Sequence, residues 1–239
     1  MKLIISEKAI AGRRIASILA GKEVPESHKG KSPAFEFKMD GEQFKLIPLR
    51  GHIVDVDFPK KYSYWIGTDL KQLVNAPIEY IGTEKLIVSE LKASAGEALE
   101  VIVATDADRE GEAIGLEAVN FLKEKNPKIS VKRMYFSAIT PKDIQNAFAK
   151  LTDLDYNFAE SANARREIDL IWGAVLTRYL SLISGQLGKE YLSSGRVQTP
   201  VLRLIVDREK ERRAFKPEKY WELKALLEKD RQKFEAMHK

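Results

Sequence analysis

The chain has 239 residues, 44% hydrophobic and 31% charged, which is enough for one large domain or two ordinary ones and outside the compositions of collagen, coiled coil or wholesale disorder. It has no cysteine, and its three histidines, His28, His52 and His238, are scattered. Disulfides, thiolate catalysis and Cys- or His-rich metal sites are therefore excluded, and any metal must be held by oxygen. No run approaches the roughly 18 apolar residues of a membrane helix, and the N-terminus lacks a signal-peptide pattern, so a cytoplasmic chain with no membrane partner is expected.

Lys2 to Ser6 reads as a short buried strand, and Ala9 to Leu19, with Ile10, Ile15, Ile18 and Leu19 around Arg13 and Arg14, as an amphipathic helix. Residues 21–33, with Gly21, Pro25, Gly30 and Pro33, predict a loop. Phe35 to Met39 and Gln43 to Ile47 flank Asp40-Gly41, the signature of a β-hairpin. Residues 51–84, rich in turn formers and aromatics, predict an irregular insertion. Val101 to Ala104 is apolar, β-branched and too short for a helix, so a buried parallel strand is expected, followed by a helix over 111–123 and a further strand over 131–136. Thr140-Pro141 starts another helix. The alternation argues for a parallel α/β sheet in the first 150 residues. Beyond it the pattern turns helical, over 157–184 as one helix or two and again over 199–213, with a glycine- and serine-rich loop between and a strand-like start at Tyr220. The net charge of +5 is concentrated in residues 196–219, where 8 basic residues accompany 4 acidic ones. That stripe fits a phosphate backbone and equally a solvated helix face.

The strand ending at Ala104 opens into Thr105-Asp106-Ala107-Asp108-Arg109-Glu110-Gly111-Glu112, four acids in seven residues at a strand's carboxyl end, where open α/β sheets place ligands. Asp106 and Asp108 can share a hard cation with Glu110 within reach, and Mg²⁺ suits such a donor set. The bland alternative is an acidic helix N-terminus favoured by the macrodipole. Glu7-Lys8 follows the first strand as the acidic turn follows the later one. If the two strands are neighbours, an acid and a cation face the metal site, an arrangement suited to phosphoryl transfer. Taken alone, Glu7 reads as an ordinary helix-start residue.

An early glutamate paired with a later Asp-x-Asp-x-Glu resembles the Toprim domain, which type IA and type II topoisomerases, bacterial-type primases and several nucleases share. Ser6-Glu7-Lys8-Ala9, Arg50-Gly51-His52, Asp106 to Glu112, Tyr135 to Thr140, Asn163 to Asp169 and Leu192 to Pro200 are similar, in order, to motifs of type IA DNA topoisomerases. A nuclease or primase leaves residues 190–200 unexplained. The Ser-Glu-Lys start is similar to the archaeal topoisomerase I and topoisomerase III branch.

The resemblance implies a Toprim parallel-sheet domain over 1–152 with a hairpin-containing insertion around 23–84, a mostly helical, winged-helix-like DNA-groove domain over 153–219, and the start of a further domain over 220–239. It implies Glu7 as general acid or base at the scissile phosphate, Lys8 as charge stabiliser, and Asp106, Asp108 and Glu110 as a Mg²⁺ site needed chiefly for rejoining. Arg165, Asp169, Ser194, Arg196 and Gln198 would line a single-strand groove, with His52 and Arg109 as further DNA contacts. Arg165 and Asp169 also have the spacing of a routine helical ion pair, and His52 that of a turn residue.

The implied activity is relaxation of negatively supercoiled DNA by cutting and rejoining single strands, in the cytoplasm at the nucleoid. In the family the attacking tyrosine lies in a later domain near an arginine. No tyrosine here has that context; Tyr179, for instance, sits in Thr177-Arg178-Tyr179-Leu180. The chain is thus expected to be an N-terminal portion, inactive alone and dependent on missing C-terminal domains. Two alternatives are the topoisomerase half of reverse gyrase, against which Met1 at the strand's start speaks, and a metal-dependent nucleic-acid-binding module without chemistry.

Overall fold

A computed structural model describes residues 1–28 and 32–237, which leaves Gly30 of the predicted loop and His238 outside the described residues. The chain divides into two compact units, Met1–Gly195 and Arg196–Lys239.

The first unit is built on β1 (Lys2–Ser6), α1 (Ala9–Ala20), β2 (Glu26–Ser27), β3 (Ala34–Met39), β4 (Glu42–Pro48), β5 (Val54–Asp57), α2 (Leu70–Val74), β6 (Glu79–Gly82), α3 (Lys85–Ser94), β7 (Glu100–Ala104), α4 (Arg109–Lys123), β8 (Ser130–Arg133), α5 (Pro141–Ala149) and α6 (Tyr156–Ser184). A six-stranded sheet runs in the order β2-β3-β4-β1-β7-β8. The four strands β4, β1, β7 and β8 are mutually parallel. The hairpin adds β3, and then β2, antiparallel at one edge. Its turn is the predicted one, with Asp40 and Gly41 both at positive φ, 51° and 80°.

Period-two alternation sends the central strands' side chains to two cores. Leu3, Ile5, Val101 and Val103 pack with α3, α4 and the start of α6, through Leu91, Ile114, Val119 and Ala159. Ile4 and Ile102 point the other way, onto α1 and α5 through Ile15, Leu19 and Ile144. Both sheet faces are covered, which is why these strands read as continuous apolar runs rather than alternating ones.

The insertion is more regular than expected. β5 and β6 form a separate antiparallel ribbon, and α2 with its flanks packs Phe58, Leu73 and Ala76 against Leu170, Ile171 and Ala174 of α6. The strand expected over 131–136 stops at Arg133: Arg133 turns to bridge Thr152, while the amide of Met134 still donates to the Val103 carbonyl at 2.8 Å. Residues 156–184 form one helix, capped by the Asp155 carboxylate on the Phe158 amide and closed by left-handed Gly185.

The second unit consists of α7 (Gln198–Ala214) and a hairpin of β9 (Lys224–Lys229) and β10 (Gln232–Met237). The strand expected from Tyr220 thus begins four residues later. Several arginines of the basic stripe are neutralised within α7, Arg203 by Asp207, Arg208 by Glu211, and Arg212 and Arg213 by Glu209. Among the described residues no helix is long and apolar enough to cross a membrane.

Candidate active-site edge

β1 and β7 are adjacent and in register, Ser6 opposite Ala104, so the segments that follow them leave the sheet side by side. Lys8 joins them. Its Nζ lies 2.8 Å from Glu7 Oε1 and 3.5 Å from Asp106 Oδ2. The hydrogen bond to Glu7, then the charges of Glu7 and Asp106, raise the Lys8 pKa and hold the ammonium protonated. Glu7 is mostly buried, Lys8 is exposed and Asp106 is half-exposed. The two acidic segments of the sequence therefore meet around one cation on one rim of the sheet.

Asp108 is the N-cap of α4, its Oδ1 accepting from the Gly111 amide at 2.7 Å. Capping and metal binding are compatible, because the cap uses one oxygen. Gly111 is required by a close approach: a Cβ there would stand 2.2 Å from the Asp106 carbonyl oxygen. Glu110 Oε1 meets His52 Nε2 at 2.7 Å. The other ring nitrogen of His52 meets Glu117 Oε1 at 2.7 Å, and Glu117 also receives Arg166 Nη1 and the amides of Ile53 and Val54. Burial works to lower the His52 pKa, but the Glu117 hydrogen bond and charge and the Glu110 hydrogen bond outweigh it, and the net shift is upward. As imidazolium, the ring donates to both carboxylates.

Arg165 and Asp169 sit on α6 with Arg165 Nε 3.8 Å from Asp169 Oδ2, the helical pair their spacing allows. Together with Asp108, Arg109, Glu110 and Arg166 they line a cleft of about 470 Å³. The acidic turn and α6 are thus its two walls. Ser194 is buried, its amide donating to Thr177 Oγ1 of α6 at 2.9 Å. Arg196 and Gln198 belong to the second unit, where both are exposed and Gln198 opens α7.

Beneath the acidic turn lies a residue that sequence reasoning passes over. Arg133 is 1% exposed. Its Nε donates to Glu112 Oε2 at 2.7 Å, Nη1 to the carbonyls of Val103, Thr105 and Met134, and Nη2 to the carbonyl of Asp106 at 2.8 Å. Glu112 Oε1 in turn accepts the Asp155 amide at the head of α6. The guanidinium therefore ties β7, the acidic turn and the α6 entry together. In sequence it is only the second of two adjacent cations, Lys132 and Arg133, in a short strand with one apolar residue.

Among the described residues no three acidic or histidine side chains stand close enough to hold a metal ion by themselves. The donor chemistry nevertheless fits Mg²⁺, which takes one or two carboxylates and completes its shell with water and phosphate oxygens. Asp106 and Asp108 offer two carboxylates of the kind it takes, and the Lys8 ammonium already marks the rim as a place where a cation is stabilised.

Residues 2–139 match the Toprim domain family and residues 153–239 the DNA topoisomerase family. The chain belongs to the Toprim domain family, and the DNA topoisomerase match follows the Toprim match in the chain. It is 47% identical to DNA topoisomerase 1 of Thermoplasma acidophilum over 232 residues, covering 97% of this chain and 30% of that protein. It is 49% identical to DNA topoisomerase 1 of Archaeoglobus fulgidus over 226 residues, covering 95% and 34%. The structure of full-length topoisomerase I from Thermotoga maritima superposes with a TM-score of 0.59 at 28% identity, over 93% of this chain and 32% of that one. The Toprim chain thus spans about a third of the curated relatives it matches.

Proposed function

We propose that this chain supplies the phosphate-handling half of a type IA topoisomerase active site, acting on single-stranded and negatively supercoiled DNA in the cytoplasm. The observation that carries the reading is the Lys8 ammonium held between Glu7 and Asp106. Glu7 moves a proton at the scissile phosphate, and Lys8 stabilises the charge that develops on its oxygens. Asp106 and Asp108 hold Mg²⁺, with Glu110 steadied beside them by His52. When bound, the ion supplies electrostatic stabilisation and orientation of the phosphate during rejoining. Arg109 and Arg165 contact strand phosphates across the cleft while Asp169 orients Arg165, and Ser194 keeps the segment after α6 in place. Arg196 and Gln198 add DNA contacts from the second unit.

The attacking tyrosine belongs to the remaining domains of the parent enzyme. Tyr135, whose hydroxyl donates to the Ala107 carbonyl at 3.2 Å, is the tyrosine seen at the acidic turn, and it serves that turn rather than the DNA.

The 239-residue chain alone is expected to relax no negatively supercoiled plasmid. Joined to the remaining domains of the Archaeoglobus relative, it is expected to relax plasmid in Mg²⁺. In that chimera Glu7→Gln should slow the reaction by about 10²–10⁴-fold, the span of general acid–base catalysis, and Tyr135→Phe should leave the rate within about twofold of the parent. Relaxation by the chain alone, or a Glu7→Gln chimera as fast as its parent, would contradict the reading.

A further inference from the structure

A second cavity lies on the other side of Glu7 and Lys8 from the acidic turn. β4 and β7 flank β1 on opposite sides. The turn leaves β7, whereas this cavity, of about 290 Å³, opens beside the end of β4, between Pro48, Arg50, Ser32, Pro33 and the start of α3 at Lys85 and Ile87. It also touches Ala9, the residue after Lys8. Along the carboxyl edge of the sheet the strand order places Asp106 after β7, Lys8 after β1 and this mouth beside the end of β4.

Two features mark the cavity as more than a packing gap. Ser32 is 5% exposed and among the described residues its hydroxyl has no hydrogen-bond partner, although a buried hydroxyl without one costs on the order of 1–3 kcal/mol. Arg50 has φ 92°, a left-handed conformation rare for any residue but glycine. That turn is held open by Glu7, whose carbonyl accepts both the Arg50 and Gly51 amides at 3.0 Å. The strained backbone thus links the proposed proton-transfer residue to the pocket wall, while the Arg50 side chain stays mostly exposed.

The walls are chiefly apolar, from prolines, Ile87 and Leu86, which suits the face of a flat ring. The volume is at the lower limit of small-ligand pockets, roughly 300 Å³, and so suits one heterocycle. The rim carries two cations, Arg50 and Lys85, and two acids, Glu26 and Glu84. Glu26 is taken up by Arg13 at 3.2 Å, and Glu84 lies 4.0 Å from Arg50.

We propose that this cavity receives a nucleobase of the DNA strand on the side of the scissile phosphate away from α6. Ser32 hydrogen-bonds the base, and Arg50 and Lys85 hold its flanking phosphates. A hydroxyl both donates and accepts, so the pocket fixes the position of the strand more than its sequence. The proposal rests on the topoisomerase reading above, and its test separates the two.

Twelve-residue oligothymidylates carrying 4-thiothymidine at successive positions are irradiated with the 239-residue chain, and the adducts are mapped by peptide mass spectrometry. Adducts are expected on residues 32–33 and 83–87 as well as on α6. Leu86→Phe fills the cavity from its rim at a position already 66% exposed, so the fold should persist. That change, and Arg50→Ala, should each lower the pocket adducts at least fivefold and leave those on α6 intact. Adducts on α6 and the acidic turn with none at the pocket overturn the pocket while the DNA reading stands. So do pocket adducts that neither substitution lowers. No adduct anywhere overturns the DNA reading, and the pocket with it.

Discussion

Arg133→Met is expected to destabilise the first unit by about 3–5 kcal/mol, the range for removing one partner of a buried ion pair. Such a loss is a large share of the roughly 5–15 kcal/mol that a domain has. Glu112, 2% exposed, would be left as an uncompensated buried carboxylate, and the carbonyls of Thr105 and Asp106 would lose their donor. Urea unfolding followed by circular dichroism measures the effect. Adding Glu112→Met should recover only part of it, because a hydrophobic pair can replace the charges but not the donors to the carbonyls. Full recovery would mean that Arg133 serves only to neutralise Glu112. A loss below about 1 kcal/mol for the single change would mean that it clamps nothing.

Gly111→Ala should damage the same turn from the other side. The added Cβ meets the Asp106 carbonyl oxygen at 2.2 Å and its carbon at 2.9 Å, and both are backbone atoms held by Arg133. The turn must shift, which costs about 1–3 kcal/mol as overpacking and displaces Asp106. Mg²⁺ affinity by calorimetry is expected to fall about tenfold, equivalent to about 1.4 kcal/mol. Gly96→Ala is the control, since a Cβ there meets nothing within 4 Å. Equal behaviour of the two variants would show that the close approach does not matter.

How much of this was legible in sequence depended on whether a signal was local. β1, the Asp40-Gly41 hairpin, β7, α4 and the Thr140 cap announce themselves through periodicity and turn chemistry, and the structure has them. Helix α3 does not. Its N-cap, Glu84, makes no side-chain capping hydrogen bond, and two of its four buried residues, Glu90 and Ser94, are polar because they serve Lys45 of β4. The insertion was unreadable for a related reason: α2 has five residues and owes its place to the apolar stripe of α6.

Glu7, Lys8, Asp106 and Asp108 were legible as a site because each follows a strand. Their meeting required only that β1 and β7 be neighbours. His52, Glu117, Arg166 and Arg133 were not legible as a supporting frame. Their side-chain partners lie between 21 and 114 residues away in the chain, and such pairing leaves no mark on either local segment.

The central claim is that two segments distant in sequence share one cation-binding rim. Carboxyl-carbon NMR of the chain, with Mn²⁺ titrated in place of Mg²⁺, tests it directly. Paramagnetic broadening should strike the side-chain carboxyls of Asp106, Asp108 and Glu7 at the same low metal concentration and spare Glu42 and Asp153. Broadening of Asp106 and Asp108 with a sharp Glu7 resonance, or no selective broadening at all, would contradict it.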